Sequence, residues 1–529
     1  MIKIFSKKSI SIMAMIIFVI SILTGCGSNN SDNANSYKEN SSNSKEITVA
    51  VTSFADTLEP TEQYFSWVVS RYGVGETLIR FDENGELEPC LAENWEVSED
   101  GLTWSLKIRE NVKFSNGDDM TVELVKASLE RTFELSNRAI SFFEPESIIV
   151  DGQILKITTK EPVANLAGSL ADPLFLIVNT NVDTDSFAMK GPICTGPYAV
   201  QTFNPTQYCE VVKNEYYWDG EVPLDKVTFK CIDDQTTRSM ALQTGEVEIA
   251  YNLKTENLID FENNDEFEIQ ELDSLRTTYS FMKQNGFLKD KALRQAIIRA
   301  LDKETYCNIL LEGGASAGKT PVPPTLDFGF DELNDENSYD VEGAKQLLLN
   351  GGYIDIDGDG FVETPNGEKL ELNFVIYTSR EELNVYAQAT QASLKEVGIN
   401  VKLNTVSYET LLDMRDSGNF DMLIWNVLVA NTGDPEKYLR ENWYSTSTSN
   451  QTRYSNPEVD KLLDELSTTF DDNKRKELII DIQQLIMDDA ATIFFGYETT
   501  YLISSKKVTG VTMYPMDYYW LTKDIKLVE

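Results

Sequence analysis

The chain has 529 residues, with 46 Lys+Arg against 86 Asp+Glu for a formal net charge of −40, six Cys and no His. So acidic a chain excludes docking on nucleic acid or on an anionic bilayer through a basic patch. The missing His excludes His-based triads and His-ligated zinc, and the length calls for at least two lobes.

Lys3, Lys7 and Lys8 precede an apolar run, Ile12–Leu23, that exits through Thr24-Gly25-Cys26-Gly27. A cationic start, a short apolar run and small residues at its end read as a secretory signal. At about a dozen residues the run falls short of the ~20 that span a bilayer as a helix. Leu23-Thr24-Gly25-Cys26 resembles the lipobox of bacterial lipoproteins. That resemblance implies a signal peptide over 1–25, an acylated (palmitate-bearing) Cys26, and a lipid-anchored protein on the extracellular face of the cell membrane. Several acyl chains at ~0.8 kcal/mol per buried CH₂ make a stable anchor. Residues 26–46 are Ser/Asn-rich and bury nothing, so they read as a tether. Cys90, Cys194, Cys209, Cys231 and Cys307 are odd in number and lack a CxxC spacing. They define no disulfide framework, although Cys209 and Cys231 fall in two strand-like runs and leave a pair or free thiols open.

Ile47–Thr52 alternates as a strand, Trp67–Leu78 reads as a helix, and Trp104–Arg109 alternates as a half-buried strand. Thr121–Thr132 is helical, and Asp151-Gly152 turns a hairpin between Ile149 and Leu155. Tyr208–Lys213 and Val227–Ile232 are further strands. Lys291–Leu311 is an amphipathic helix with Leu293, Ala296, Ile297, Ala300 and Leu301 on one face. Strand Leu370–Tyr377, helix Glu381–Val397, strand Asn400–Val406, helix Tyr408–Ser417 and strand Phe420–Trp425 then form a βαβαβ unit, which implies a parallel sheet. Helices Pro457–Leu466 and Asn473–Asp489 follow, then apolar Ile493–Tyr497. Ligands of such sheets sit beyond the carboxyl ends of the strands, here Thr378-Ser379, Ser407-Tyr408 and Asn426–Asn431.

Three short motifs compete for a chemical reading. Gly313–Thr320 fits a phosphate-binding loop, but a helix precedes it and Pro321-Val322-Pro323-Pro324 forbids one after it. Gly314-Ala315-Ser316-Ala317-Gly318 fits a nucleophile elbow that has no His to serve it. Asp355, Asp357 and Asp359 with Gly360 open like a calcium loop, yet Asn366 stands where the closing Glu belongs. Both a plain acidic turn and a structural calcium fit; no other cofactor is called for.

Over Glu46 to about Tyr519 the chain resembles the peptide/nickel/opine solute-binding proteins of ABC importers, family 5. The resemblance is carried by Gly75-Glu76-Thr77-Leu78, Leu91–Trp95, Lys113–Gly117, Cys194–Tyr198, Lys213–Trp218, Arg238–Gly245, Tyr339-Asp340 and Phe420–Met422. It implies an α/β, two-lobe periplasmic-binding-protein-like (type II-like) fold with a subdomain inserted in the first lobe. The first lobe would cover 47–282 (insert about 81–190), the second 283–491, with 492–529 returning to the first. Lobe crossings would fall near Phe281–Gln284 and Ala491–Phe495.

The implied function is capture of a small solute, an oligopeptide or a nickel or opine-type metal chelate, for delivery by a monomer to a membrane permease. Peptide binders of the family carry an Asp three residues before the second lobe's Asp-Pro; here Asp434-Pro435 is preceded by Asn431, which lacks the charge for a peptide amino terminus. Ser66–Gly73 resembles the nickel/opine branch, and Arg138 with Phe142 lies about where that branch places a cleft Arg and aromatic. Asp172 stands where a second cleft Arg would be. Ligand-binding candidates are therefore Arg71, Tyr72, Arg138, Phe142, Trp425, Asn426 and Asn431. Each also has a plain reading: ion pairing for the arginines, packing for the aromatics, loop polarity for the amides. The rival functions are a secreted hydrolase and a ligand sensor on the same fold.

Overall fold

The computed structural model describes residues 44–528 apart from 53, 54, 254, 378 and 379. The leader, Cys26 and most of the tether lie outside the described residues. The backbone of the molecule is one eleven-stranded sheet. In spatial order its main path runs Asn400–Val406, Glu371–Tyr377, Met422–Leu428, Phe267–Met282, Thr492–Ser505, Ile249–Tyr251, Glu46–Val51, Lys226–Cys231, Tyr208–Lys213 and Tyr198–Asn204.

Each half of this sheet has its own core. In the second half Glu371–Tyr377 is parallel to both Asn400–Val406 and Met422–Leu428, as crossover helices demand. Leu372, Phe374, Ile376, Leu383, Leu394 and Ile424 are sealed between sheet and helices, each contributing about 1.5–3 kcal/mol by burial. In the first half Val49, Val51, Val227, Phe229 and Leu502 do the same. A separate four-stranded antiparallel sheet, Ala92–Val97, Thr103–Ile108, Ile154–Thr159 and Pro145–Asp151, packs against helix Val122–Leu135 through Leu106, Ile157, Val125 and Leu129. The Asp151-Gly152 turn has Gly152 at φ +60, a conformation that glycine adopts without strain.

Two long strands belong to both halves. Phe267–Met282 pairs with Met422–Leu428 on one side and Thr492–Ser505 on the other. The register of Phe267–Met282 with Thr492–Ser505 breaks between Asp273 and Thr277, opposite Tyr497–Thr499, and again between Thr278 and Tyr279, opposite Phe494–Gly496. Extra residues at such bulges bend and twist a strand pair. Both breaks lie N-terminal to Phe281 on one strand; on the other they span Phe494–Thr499 and include Phe495.

Two expected helices end early. The first spans Phe65–Arg71 only, because Gly73 turns the chain at φ +68, where an added Cβ would meet the Leu521 carbonyl oxygen at 2.7 Å. Lys291–Leu311 breaks after Arg299; the Asp302 carboxylate then caps a new turn by accepting from Thr305 N at 3.1 Å, and a π-turn follows over Tyr306–Leu310. The loop that fits phosphate-binding and nucleophile motifs is instead a strand, Ala315–Ala317, paired with Glu498–Gly496. Gly318 lies so close to that partner that a Cβ would meet Gly496 N at 2.7 Å, so its backbone is committed to packing.

Candidate functional site

Where the long strands pass between the halves, charged and aromatic side chains of both halves converge. On the first half, helix Phe65–Arg71 presents Trp67 and Arg71. The Arg71 guanidinium is buried; it donates to the Asp517 carboxylate at 2.5 Å and to its carbonyl at 2.9 Å, and lies 4.5 Å over Trp520. Trp520 donates its indole N–H to Asp517 at 2.7 Å and stacks on Tyr251 at 4.3 Å. Trp67 meets Tyr64 and Tyr518 edge-on at 5.3 Å, and its buried indole N–H has no hydrogen-bond acceptor.

On the second half, Trp425, in the middle of strand Met422–Leu428, joins an aromatic group with Tyr377 at 6.2 Å and Tyr408 at 6.1 Å, with Arg415 5.3 Å over its ring. Arg380, one residue past the carboxyl end of Glu371–Tyr377 and the undescribed 378–379, donates to Glu382 at 3.0 Å and Glu498 at 3.4 Å. Glu498 also accepts from Thr278 Oγ1 at 2.7 Å and Asn426 Nδ2 at 2.6 Å. Burial, then the charge of Glu382, pushes the Glu498 carboxyl above its ordinary range despite Arg380. Asn426 in turn accepts from Arg276 Nη1 at 3.2 Å. Arg276 lies within electrostatic reach of Arg380, Asp517, Arg71 and Glu498, which joins the two faces into one site.

Direct bonds clasp the halves beside this site. Asn431 Nδ2 donates to the fully buried Asp172 carboxylate at 3.0 Å, and the Tyr518 hydroxyl donates to the Asn431 carbonyl at 2.9 Å. Asn165 Nδ2 donates to Thr432 Oγ1 at 2.9 Å, and Ala164 N to the Ser467 carbonyl at 3.0 Å.

The candidates from sequence sort by these contacts. Arg71, Trp425 and Asn426 line the site. Asn431 is turned to Asp172 rather than to open space. Arg138 is half-buried at the rim, its guanidinium 3.9 Å over Tyr64 and bonded to the Gln63 carbonyl. Phe142 is buried against Phe175, with the Lys437 ammonium 4.5 Å over its ring. Tyr72 does not belong here: one residue beyond the helix it points the opposite way from Arg71 and stacks on Phe229 at 3.8 Å in the first-half core. Arg276, Arg380, Glu498, Asp517 and Trp520 were not among the candidates. Arg276 is the one charge in Leu275–Met282, and that anomaly could have flagged it.

Asp355, Asp357 and Asp359 do gather, their carboxylates within 4.8 Å of one another and exposed. The Lys369 ammonium bridges Asp357 and Asp359 at 2.9 Å each, while Asp355 accepts from Gly358 N and Gly360 N. Lys369 thus places a single positive charge against two of the three carboxylates. A separate cavity of about 380 Å³ lies on the first half among Glu76, Arg80, Tyr217 and Tyr519, away from the crossing strands. The Cys90, Cys194, Cys209, Cys231 and Cys307 thiols are free.

A polar and aromatic site between two sheet halves joined by continuous strands defines a protein that closes over a solute. Residues 86–450 match the model of the bacterial extracellular solute-binding proteins, family 5 Middle, and the chain belongs to that family. It is a binding protein, not an enzyme. It is 23% identical over 508 residues to the nickel-binding protein NikA of Staphylococcus aureus, covering 96% of this chain and 97% of that one. It is 28% identical over 507 residues to the glutathione-binding protein GsiB of Pectobacterium atrosepticum, covering 92% and 95%. The oligopeptide-binding protein AppA of Bacillus subtilis, solved with a nonapeptide, superposes with a TM-score of 0.79 at 22% identity, covering 92% of this chain and 100% of that one.

Proposed function

We propose that this chain is the capturing component of an ABC importer, tethered through a lipid on Cys26 to the extracellular face of the cell membrane. It acts as a monomer, closes over an oligopeptide or an opine-type metal chelate, and hands it to the permease. The observation that carries the reading is the convergence of Trp67, Arg71 and Trp520 with Trp425, Asn426 and Arg380 where two strands cross between the halves. A solute touching both faces binds the closed form better than the open one and shifts the population towards closure. Relatives named for nickel and for glutathione, and a fold-mate solved with a nonapeptide, support that range of solutes.

Thermal-shift titration with native mass spectrometry tests this on the purified chain from residue 27. The probes are alanine peptides of two to six residues, glutathione, and nickel with histidine. At about 100 times its Kd the right solute is expected to stabilise by about 2.7 kcal/mol. If none of these classes binds or stabilises, the reading fails.

A further inference from the structure

We infer that Arg276 anchors a carboxylate of the captured solute. The inference rests on the proposed solute-capturing role and names the group by which that solute is held.

Its place in the site with no acid bonded to it carries the inference, since a single hydrogen bond also describes half-buried Arg109, Arg138 and Arg299. The four buried arginines are all fully engaged. Arg71 holds Asp517, and Arg475 holds Asp434 and Glu436. Arg238 donates to four backbone carbonyls, and so does Arg294. Arg276 is half-buried in the site and makes a single bond, to the neutral amide of Asn426. No carboxylate of the described residues lies within 4.0 Å of it; Asp517 is bonded instead to Arg71 and Trp520, and Glu498 to Arg380, Asn426 and Thr278. A guanidinium offers five donors in a planar fork. Withdrawing such a charge from water is costly unless a counter-charge meets it. Burial, then repulsion from Arg380, lowers the Arg276 pKa, with Asp517 and Glu498 opposing the shift.

Its place in the fold suits an anchor. Arg276 sits in the register break between Asp273 and Thr277, on a strand common to both halves. The chain Glu498–Asn426–Arg276 fixes one edge of the guanidinium and leaves the rest of the fork available. Asn426 is thus a positioning residue. A planar carboxylate meets the fork with two parallel bonds.

The test compares trialanine, glutathione and nickel–histidine with their carboxamide forms, by titration calorimetry on the wild type and on R276K and R276Q. The wild type is expected to prefer the carboxylate form by about tenfold to a hundredfold, the range of a hydrogen-bonded charge. R276Q should lose that preference while keeping its affinity for the amide, and R276K should keep part of it. Equal binding of acid and amide by the wild type overturns the inference without any variant, and so does an unchanged preference in R276Q. A phosphonate analogue that outcompetes the carboxylate also overturns it. A readout independent of the solute is phenylglyoxal modification mapped by mass spectrometry. Arg276 is expected to react several times faster than Arg71 and Arg380; equal or slower reaction counts against a free fork. Should every probe fail to bind while Arg276 still reacts first, the solute range proposed above falls and the free anchor stands.

Discussion

Arg475→Ala is expected to cost about 3–5 kcal/mol of folding free energy, the range for stripping one partner from a buried ionic group. Arg475 is buried on helix Asp472–Asp488. It donates to the Asp434 carboxylate at 3.0 and 2.8 Å, to Glu436 at 2.8 Å, and to the carbonyls of Leu466 and Thr469 at 2.7 and 2.9 Å. Without it two carboxylates stay buried side by side. Burial, then Asp434, already holds the Glu436 carboxyl above its ordinary range, and losing Arg475 raises it further. A carboxyl whose folded pKa is raised costs stability above that pKa, and the cost vanishes below its unfolded value. The deficit of the variant should therefore shrink as pH falls towards about 4.3. Urea midpoints across pH check this; a loss under about 1 kcal/mol would mean that water takes over the role of the guanidinium.

Asn431→Ala is expected to weaken the binding of every solute by one common factor, about tenfold to a hundredfold. The bond from Asn431 to the Asp172 carboxylate joins the halves and includes no solute atom. Its loss leaves a buried acceptor short of a donor only in the closed form, a penalty of about 1.5–3 kcal/mol for a charged partner. Apparent affinity falls with the fraction of closed molecules, whatever the solute. Calorimetry with two chemically unlike solutes checks the common factor. A loss confined to one solute would make Asn431 a ligand contact instead. Asp172→Ala with Asn431→Ala should be far from additive, because both remove the same clasp.

Strand positions and the parallel βαβαβ unit were legible because alternation and apolar runs depend on local pattern. The helix expected over Lys291–Leu311 was not, since its apolar face continues through Ala300 and Leu301 into a turn that Asp302 re-caps. Trp425 and Asn426 were legible as residues near the carboxyl end of a strand, although that strand runs on past both of them to Leu428. Tyr72 misled because a helix ending at Arg71 rotates the next residue towards the core, a detail set by the close approach of Gly73 to Leu521. Glu498 and Asp517 were invisible among 86 acids. Only the fold brings them to Arg380 and Arg71, from positions more than a hundred residues away.

Closure of the two halves on a solute is tested most directly by fluorescence transfer between dyes on the exposed residues Met240 and Leu349, one on each half. The stabilising solute should move a mixed population to a single closed distance at concentrations matching its Kd, and Asn431→Ala should restore the open fraction. Saturating solute that binds without changing the distance distribution would contradict capture by closure.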